Sequence, residues 1–166
     1  MELKHLDEIE RATKRGRAEL FRIGMALLFI VGVMLYAAMR GEGEASLILV
    51  VAAMIGGYMA MNIGANDVAN NVGPAVGSKA LTLAGALVIA AIFEAAGALI
   101  AGGDVVGTIR SGIIDPARIA DSDTFIWVMM AALLAGALWL NLATAFGAPV
   151  STTHSIVGAV LGAGIA

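Results

Sequence analysis

The sequence contains no cysteine, which removes disulfide frameworks, thiolate metal sites and thiol catalysis together. Charge is scarce: only 14% of its 166 residues are Asp, Glu, Lys or Arg, against about 25% in soluble domains. The net charge of −3, with no basic block interleaved with aromatics, leaves no electrostatic footprint for nucleic acid. What is abundant is apolar. Hydrophobic residues make up 60% of the chain and the mean hydropathy is +0.90, where soluble domains carry about 45–50% apolar residues. Such a chain suits four or five membrane crossings of roughly 20 residues each. Glycine, at 21 residues, exceeds its usual share of about 7%, as in membrane helices that pack closely.

Residues 1–22 hold six of the ten basic residues (Lys4, Arg11, Lys14, Arg15, Arg17, Arg22) mixed with acids. They read as a charged tail, with Leu3, Leu6 and Ile9 spaced for a short surface helix. A basic cluster before a first hydrophobic segment resists translocation, which places the N-terminus in the cytoplasm. Residues 23–39 then read as an extra anchor helix. A cleaved signal is disfavoured, since the charged region is long and no small-x-small site follows. A polar connection, 40–44, leads to a second apolar segment at 45–65, where Gly56, Ala60 and Gly64 offer a narrow packing face. A third segment, 80–101, contains Glu94, and the mixed stretch 102–123 reads as a loop or surface helix. A fourth, 124–145, carries Trp127 near one interface and, at its other end, Asn141 and Thr144 able to hydrogen-bond a neighbouring helix. The final piece, 155–166, reaches about 18 Å as a helix, short of roughly 30 Å of hydrocarbon. It is expected to be a half-helix, the chain being a fragment completed by a missing C-terminal half or by a second subunit. The expected fold is an all-α, polytopic helical bundle with broken or re-entrant helices.

Two segments rich in small polar residues interrupt these apolar runs: Asn66 to Lys79, with Asp67, Asn70 and Asn71, and Phe146 to His154, with Ser151, Thr152 and Thr153. Unsatisfied backbone is not tolerated facing lipid, so non-helical chain at that depth lines a cavity or binds something. Transporters build midplane sites this way, with half-helix N-termini aimed at an anion and unwound carbonyls at a cation. Hydroxyl, amide and backbone donors suit a tetrahedral oxyanion. A carboxylate in the same lining is reconciled by a protonated phosphate, whose P–OH donates to Asp67, or by a sodium ion beside it. Fully ionised sulfate lacks that proton.

At these residues the sequence resembles the inorganic phosphate transporter (PiT) family of cation-coupled symporters. The resemblance rests on Gly64 to Asn70 (GANDVAN), Ala75 to Ser78 followed by Leu81 to Leu83, Ala91 to Gly97 (AIFEAAG), Thr108 to Asp115 (TIRSGIID) and Pro149 to Ala159 (PVSTTHSIVGA). It implies an inverted-repeat transporter, each half supplying one break of each type, with 45–166 as the N-terminal repeat at an inner (plasma) membrane. By that resemblance Asn66, Asp67 and Asn70 help bind the coupling cation, Na+ or H+, with Na+ at Asn66 and Asp67. Asp67, Asn70, Ser151, Thr152 and Thr153 contact phosphate. The sequence departs from the family in holding each motif once.

Other readings stand beside these. Asp67 and Ser151 to Thr153 also suit helix capping, and capping is compatible with binding. Glu94 is either a proton or cation relay or a tie between helices, and His154 is a second relay candidate. Ser151, His154 and Asp67 can be assembled into a hydrolase triad, but Ser and His three apart with no nucleophile elbow speak against an enzyme. No cofactor is expected beyond a coupling ion. A sulfate or other oxyanion permease, or a non-transporting membrane assembly fragment, are the alternatives.

Overall fold

The structure, a computed structural model, describes the backbone of residues 2–41, 45–115, 119 and 121–166, with side chains at all of these but 2–13, 15, 45, 46 and 111. Most of the connection expected at 40–44, and Pro116 and Arg118 of the later polar stretch, lie outside the described residues. The described elements are all helical: α1 (Glu2–Arg40), α2 (Ala45–Ile63), a π-helical turn (Gly64–Val68), α3 (Ala69–Gly77), α4 (Leu83–Ser111), α5 (Ser122–Ala145) and α6 (Thr152–Ile165). Four stretches among them are long and apolar enough to cross a membrane: Gly16–Arg40, Leu47–Gly77, Leu83–Arg110 and Ser122–Ala145.

The chain divides inside α2 into two compact units, Met1–Gly57 and Tyr58–Ala166. In the first, α2 packs on α1 at Gly57, where a Cβ would make ordinary contact at 3.7 Å from Phe29 and 3.8 Å from Val33. Tail and anchor, distinct by composition, form one helix, because the Glu, Lys and Arg residues of the charged part are good helix formers and no proline intervenes. Arg40 closes α1 with its guanidinium 5.3 Å from the Tyr36 ring centroid, a cation–π contact.

In the second unit the core sits where the end of α2, α5 and α6 meet. Met59, Ala137 and Leu140 are buried at its centre, with Tyr58, Ile63, Leu133, Val150 and Ile156 packed around them. Gly136 lies at this close approach, where a Cβ would come 3.3 Å from Met59 Cε and 3.7 Å from Ala159 Cβ, leaving room for a methyl group but not for a larger side chain. The narrow face expected at Ala60 and Gly64 is not the one used: Ala60 is exposed and a Cβ on Gly64 would meet open space. The buried stripe is Met59, Asn62 and Asn66, helical spacing on a different face.

Helices α4, α5 and α6 each start with a side-chain cap. Thr82 Oγ1 accepts from the Gly85 N–H at 3.1 Å, Asp121 from the Thr124 N–H at 2.7 Å, and Ser151 from the His154 N–H at 3.3 Å. Helix α4 extends ten residues beyond the Ala101 expected from hydropathy, reaching Ser111. Val105, Val106 and Ile109 continue its apolar character, and the chain meets no proline before Pro116. Helix α4 is also the most exposed of the described spans in this unit. Leu99 and Ile100 are 88% and 85% accessible, a surface suited to lipid or to other transmembrane chain rather than to water.

Candidate functional site

The first polar segment corrects an expectation. Asn66 to Lys79 does not unwind: the helix widens at Gly64–Val68 into one π turn and resumes as α3 to Gly77. A π turn absorbs an extra residue by shifting to i→i+5 bonding, so the backbone stays paired while side chains change face. Its interruption is subtler than a break. Pro74 lies inside α3 and has no N–H for the carbonyl of Asn70, one turn earlier. Helix α3 ends at Gly77, Ser78 follows as its C-cap, and Lys79 takes a left-handed conformation at φ 62° to turn the chain toward α4.

The second segment does leave the helix. Helix α5 ends at Ala145, Gly147 turns the chain at φ 65°, and residues 148–151 are non-helical before α6 starts at Thr152. Helix α6 thus includes Thr152 to His154, expected to be in the break. Ser151 caps it, and Thr152 and Thr153 contribute N–H groups at its first turn, where the helix dipole favours an anion.

Tertiary structure joins the two segments through the buried side chain of Asn66. Its Nδ2 donates to Thr144 Oγ1 and to the Ala148 carbonyl, each at 3.2 Å. Its Oδ1 accepts from Asn70 Nδ2 at 3.1 Å and from the Val150 N–H at 3.4 Å. One turn back along α2, Asn62 Nδ2 donates to the Tyr58 carbonyl at 2.9 Å while Asn62 Oδ1 accepts from Asn141 Nδ2 at 3.0 Å. The hydrogen bonding expected of Asn141 and Thr144 toward a neighbouring helix is therefore present. Asn62 was not singled out from the sequence, where one amide in an apolar run carries little signal. The i, i+4 spacing of Asn62, Asn66 and Asn70 is the pattern that identifies it.

The other candidates fall into two groups. Asp67 follows Asn66 directly, is half-buried, and makes no side-chain hydrogen bond among the described residues, leaving both carboxylate oxygens available. Asn70 is exposed, with its own Oδ1 uncommitted. Ser151 Oγ lies 2.8 Å from His154 Nδ1. With Nδ1 unprotonated the hydroxyl donates to it. With Nδ1 protonated the roles reverse, and the hydroxyl proton is free to turn to an anion. Thr153 lines a mainly apolar cavity of about 290 Å³ with Val105, Thr108, Ile109, Ile113, Ile156 and Val157. Glu94 stands apart: it is exposed on α4 and makes no hydrogen bond to the candidate residues. Among the described residues no three His, Asp or Glu side chains cluster to hold a metal ion, so any cation here would rest on carboxylate, amide and carbonyl oxygens.

Comparison with known proteins gives this arrangement a context. A family model described as the phosphate transporter family matches residues 63–166, which include both segments. The "Putative phosphate permease" of Helicobacter pylori is 56% identical over 167 aligned residues, covering 100% of this chain and 31% of that protein. A protein of the same description from Mycobacterium tuberculosis is 54% identical over 127 residues, 76% of this chain and 23% of the relative. One from Chlamydia trachomatis is 55% identical over 120 residues, 71% and 28%. The chain thus spans less than a third of the length of these curated relatives. No solved structure matches it.

Proposed function

The chain belongs to the phosphate transporter family, and from that premise we propose that it supplies part of a cation-coupled symport site for inorganic phosphate in the plasma membrane, with its N-terminus cytoplasmic. The observation that carries the reading is the hydrogen-bonded junction of the π turn with the non-helical chain before α6. It puts a half-buried carboxylate and the first turn of α6 into one compact unit at the ends of two apolar helices.

On this reading phosphate sits at the N-terminus of α6. The Thr152 and Thr153 N–H groups and the hydroxyls of Ser151, Thr152 and Thr153 donate to its oxygens. Asp67 accepts a P–OH of the protonated anion or holds the coupling cation. Asn70 offers the cation its side-chain oxygen and a backbone carbonyl that lacks its usual N–H donor at position 74. Such an all-oxygen set is what Na+ accepts, and the same carboxylate serves H+. His154 sets the direction of the Ser151 hydroxyl. The chain does no bond-making chemistry: it binds and exposes its cargo alternately to the two sides. The remainder of the site comes from chain beyond this segment or from a second subunit.

The test is labelled phosphate uptake by the whole protein. Asp67→Asn is expected to abolish coupled uptake while membrane insertion is unchanged; persistence of uptake removes Asp67 from the mechanism. Uptake with and without a sodium gradient at fixed pH assigns the coupling ion. Excess unlabelled sulfate is expected to leave phosphate uptake intact, and competition by sulfate would mark a general oxyanion permease instead.

A further inference from the structure

Asn66 precedes Asp67 by one residue, yet its side chain is spent on protein. A primary amide has two N–H donors and two carbonyl lone pairs. All four are engaged: by Thr144 Oγ1 and the Ala148 carbonyl on one side, by Asn70 Nδ2 and the Val150 N–H on the other. The amide fits in one orientation only, because a backbone carbonyl can only accept and a backbone N–H can only donate. No lone pair is left for a cation. What the amide holds is the non-helical chain between α5 and α6: it bonds the Ala148 carbonyl and the Val150 N–H, while the Ala148 N–H turns back to the Ala143 carbonyl of α5.

We infer that Asn66 is a positioning residue, a clasp that fixes residues 148–150 and through them the N-terminus of α6, rather than a ligand of the transported cation. The clasp has two rungs. Asn66 with Thr144 forms the upper one, and Asn62 with Asn141, a turn away on each helix, forms the lower. Val150 is joined directly to the capping residue Ser151, so whatever holds the Val150 N–H sets where the first turn of α6 points. The inference rests on the reading of Ser151 to Thr153 as the phosphate end of the site. It assigns Asn66 and Thr144 the task of preorganising that end.

The experiment compares Asn66→Ala, Thr144→Val, the double variant and the conservative Thr144→Ser in the whole protein, reconstituted in lipid vesicles. Thr144→Val is expected to raise KM for phosphate roughly fivefold, the scale of one neutral hydrogen bond, and Asn66→Ala, which removes four, at least as much. The double variant should be no worse than the poorer single one, because both act through one clasp. Thr144→Ser should restore KM, and the cation concentration for half-maximal uptake should not move in either Thr144 variant, each of which leaves the Asn66–Asn70 bond in place. Additive effects of the two single variants would overturn the clasp. So would a shift in cation dependence in Asn66→Ala with Thr144→Val silent, which is the signature of a cation ligand. A second readout needs no transport. With Phe146→Cys as the single thiol, labelling by a maleimide should accelerate in both clasp variants, and an unchanged rate overturns the inference. Should Asn66→Ala fail to insert, the Thr144→Val and Thr144→Ser pair decides alone. Should the wild-type protein take up no phosphate, the functional reading fails while the labelling still judges the clasp.

Discussion

Leu140 is fully buried and sits with Met59 and Ala137 in the cluster that backs the α5–α6 connection, so its truncation tests how this core is stabilised. In water-soluble proteins a buried Leu→Ala change costs about 2.7–5.0 kcal/mol, of which three methylene equivalents at about 0.8 kcal/mol each, roughly 2.4 in all, are transfer from water. For a membrane helix the separated state is a helix in lipid, and lipid tails are as apolar as leucine, so the transfer contribution cancels. Lost packing remains: about 0.3–2.6 kcal/mol by difference. The assay is reversible unfolding of the whole protein in mixed micelles, with Leu140→Met as the volume-conserving control, expected to cost less than about 1.5 kcal/mol. A loss above about 3 kcal/mol for Leu140→Ala would show that the site is referenced to water and that the lipid argument is wrong. No measurable loss would show that α2, α5 and α6 are not close-packed there.

Three further outcomes are expected. Lys79→Gly should raise thermal stability by about 1 kcal/mol, since a non-glycine residue at φ 62° carries the left-handed penalty; Lys79→Val should lower it, and equal melting temperatures for the two would refute the strain. Gly136→Ala should be close to neutral, because the Cβ meets the flexible tip of Met59 at 3.3 Å, whereas Gly136→Leu should force α5 from α6 and reduce the yield of folded protein in membranes. Asp121 outside the spans has its pKa held below the usual carboxylate range, first by the Thr124 N–H and then by the Thr124 hydroxyl. A depressed folded pKa means that the cap's contribution is fully present above the unfolded pKa and is lost as pH falls through the lowered folded value. Protection of the Thr124 amide, its exchange rate referred to the intrinsic rate at the same pH, should therefore fall on acidification below about pH 4, and Asp121→Asn should flatten that dependence.

Composition alone was enough to put this chain in a bilayer and to divide it into apolar helices. Both conclusions depend on which residues are present in a window, not on what they meet. The two polar segments were legible for the same reason, as were the cap at Ser151 and the bonding capacity of Asn141 and Thr144. The extent of α4 was not, because Asp104 and Arg110 lower local hydropathy without interrupting a helix. Nor was the continuity at Asn66 to Lys79. A polar run looks like a break when unpaired backbone is assumed, and a π turn keeps that backbone paired without any mark in composition.

The role of Asn66 shows where sequence reading ends. Its place in a run of amides beside Asp67 makes it an obvious cation ligand, since every amide carries the same oxygen. Whether that oxygen is free depends on Thr144, Ala148 and Val150, about eighty residues along the chain, and only packing of the π turn against α5 brings them within reach. Residue type settled what Asn66 is able to bond; the fold settled what it bonds, because hydrogen-bonding capacity is local and its partners are not.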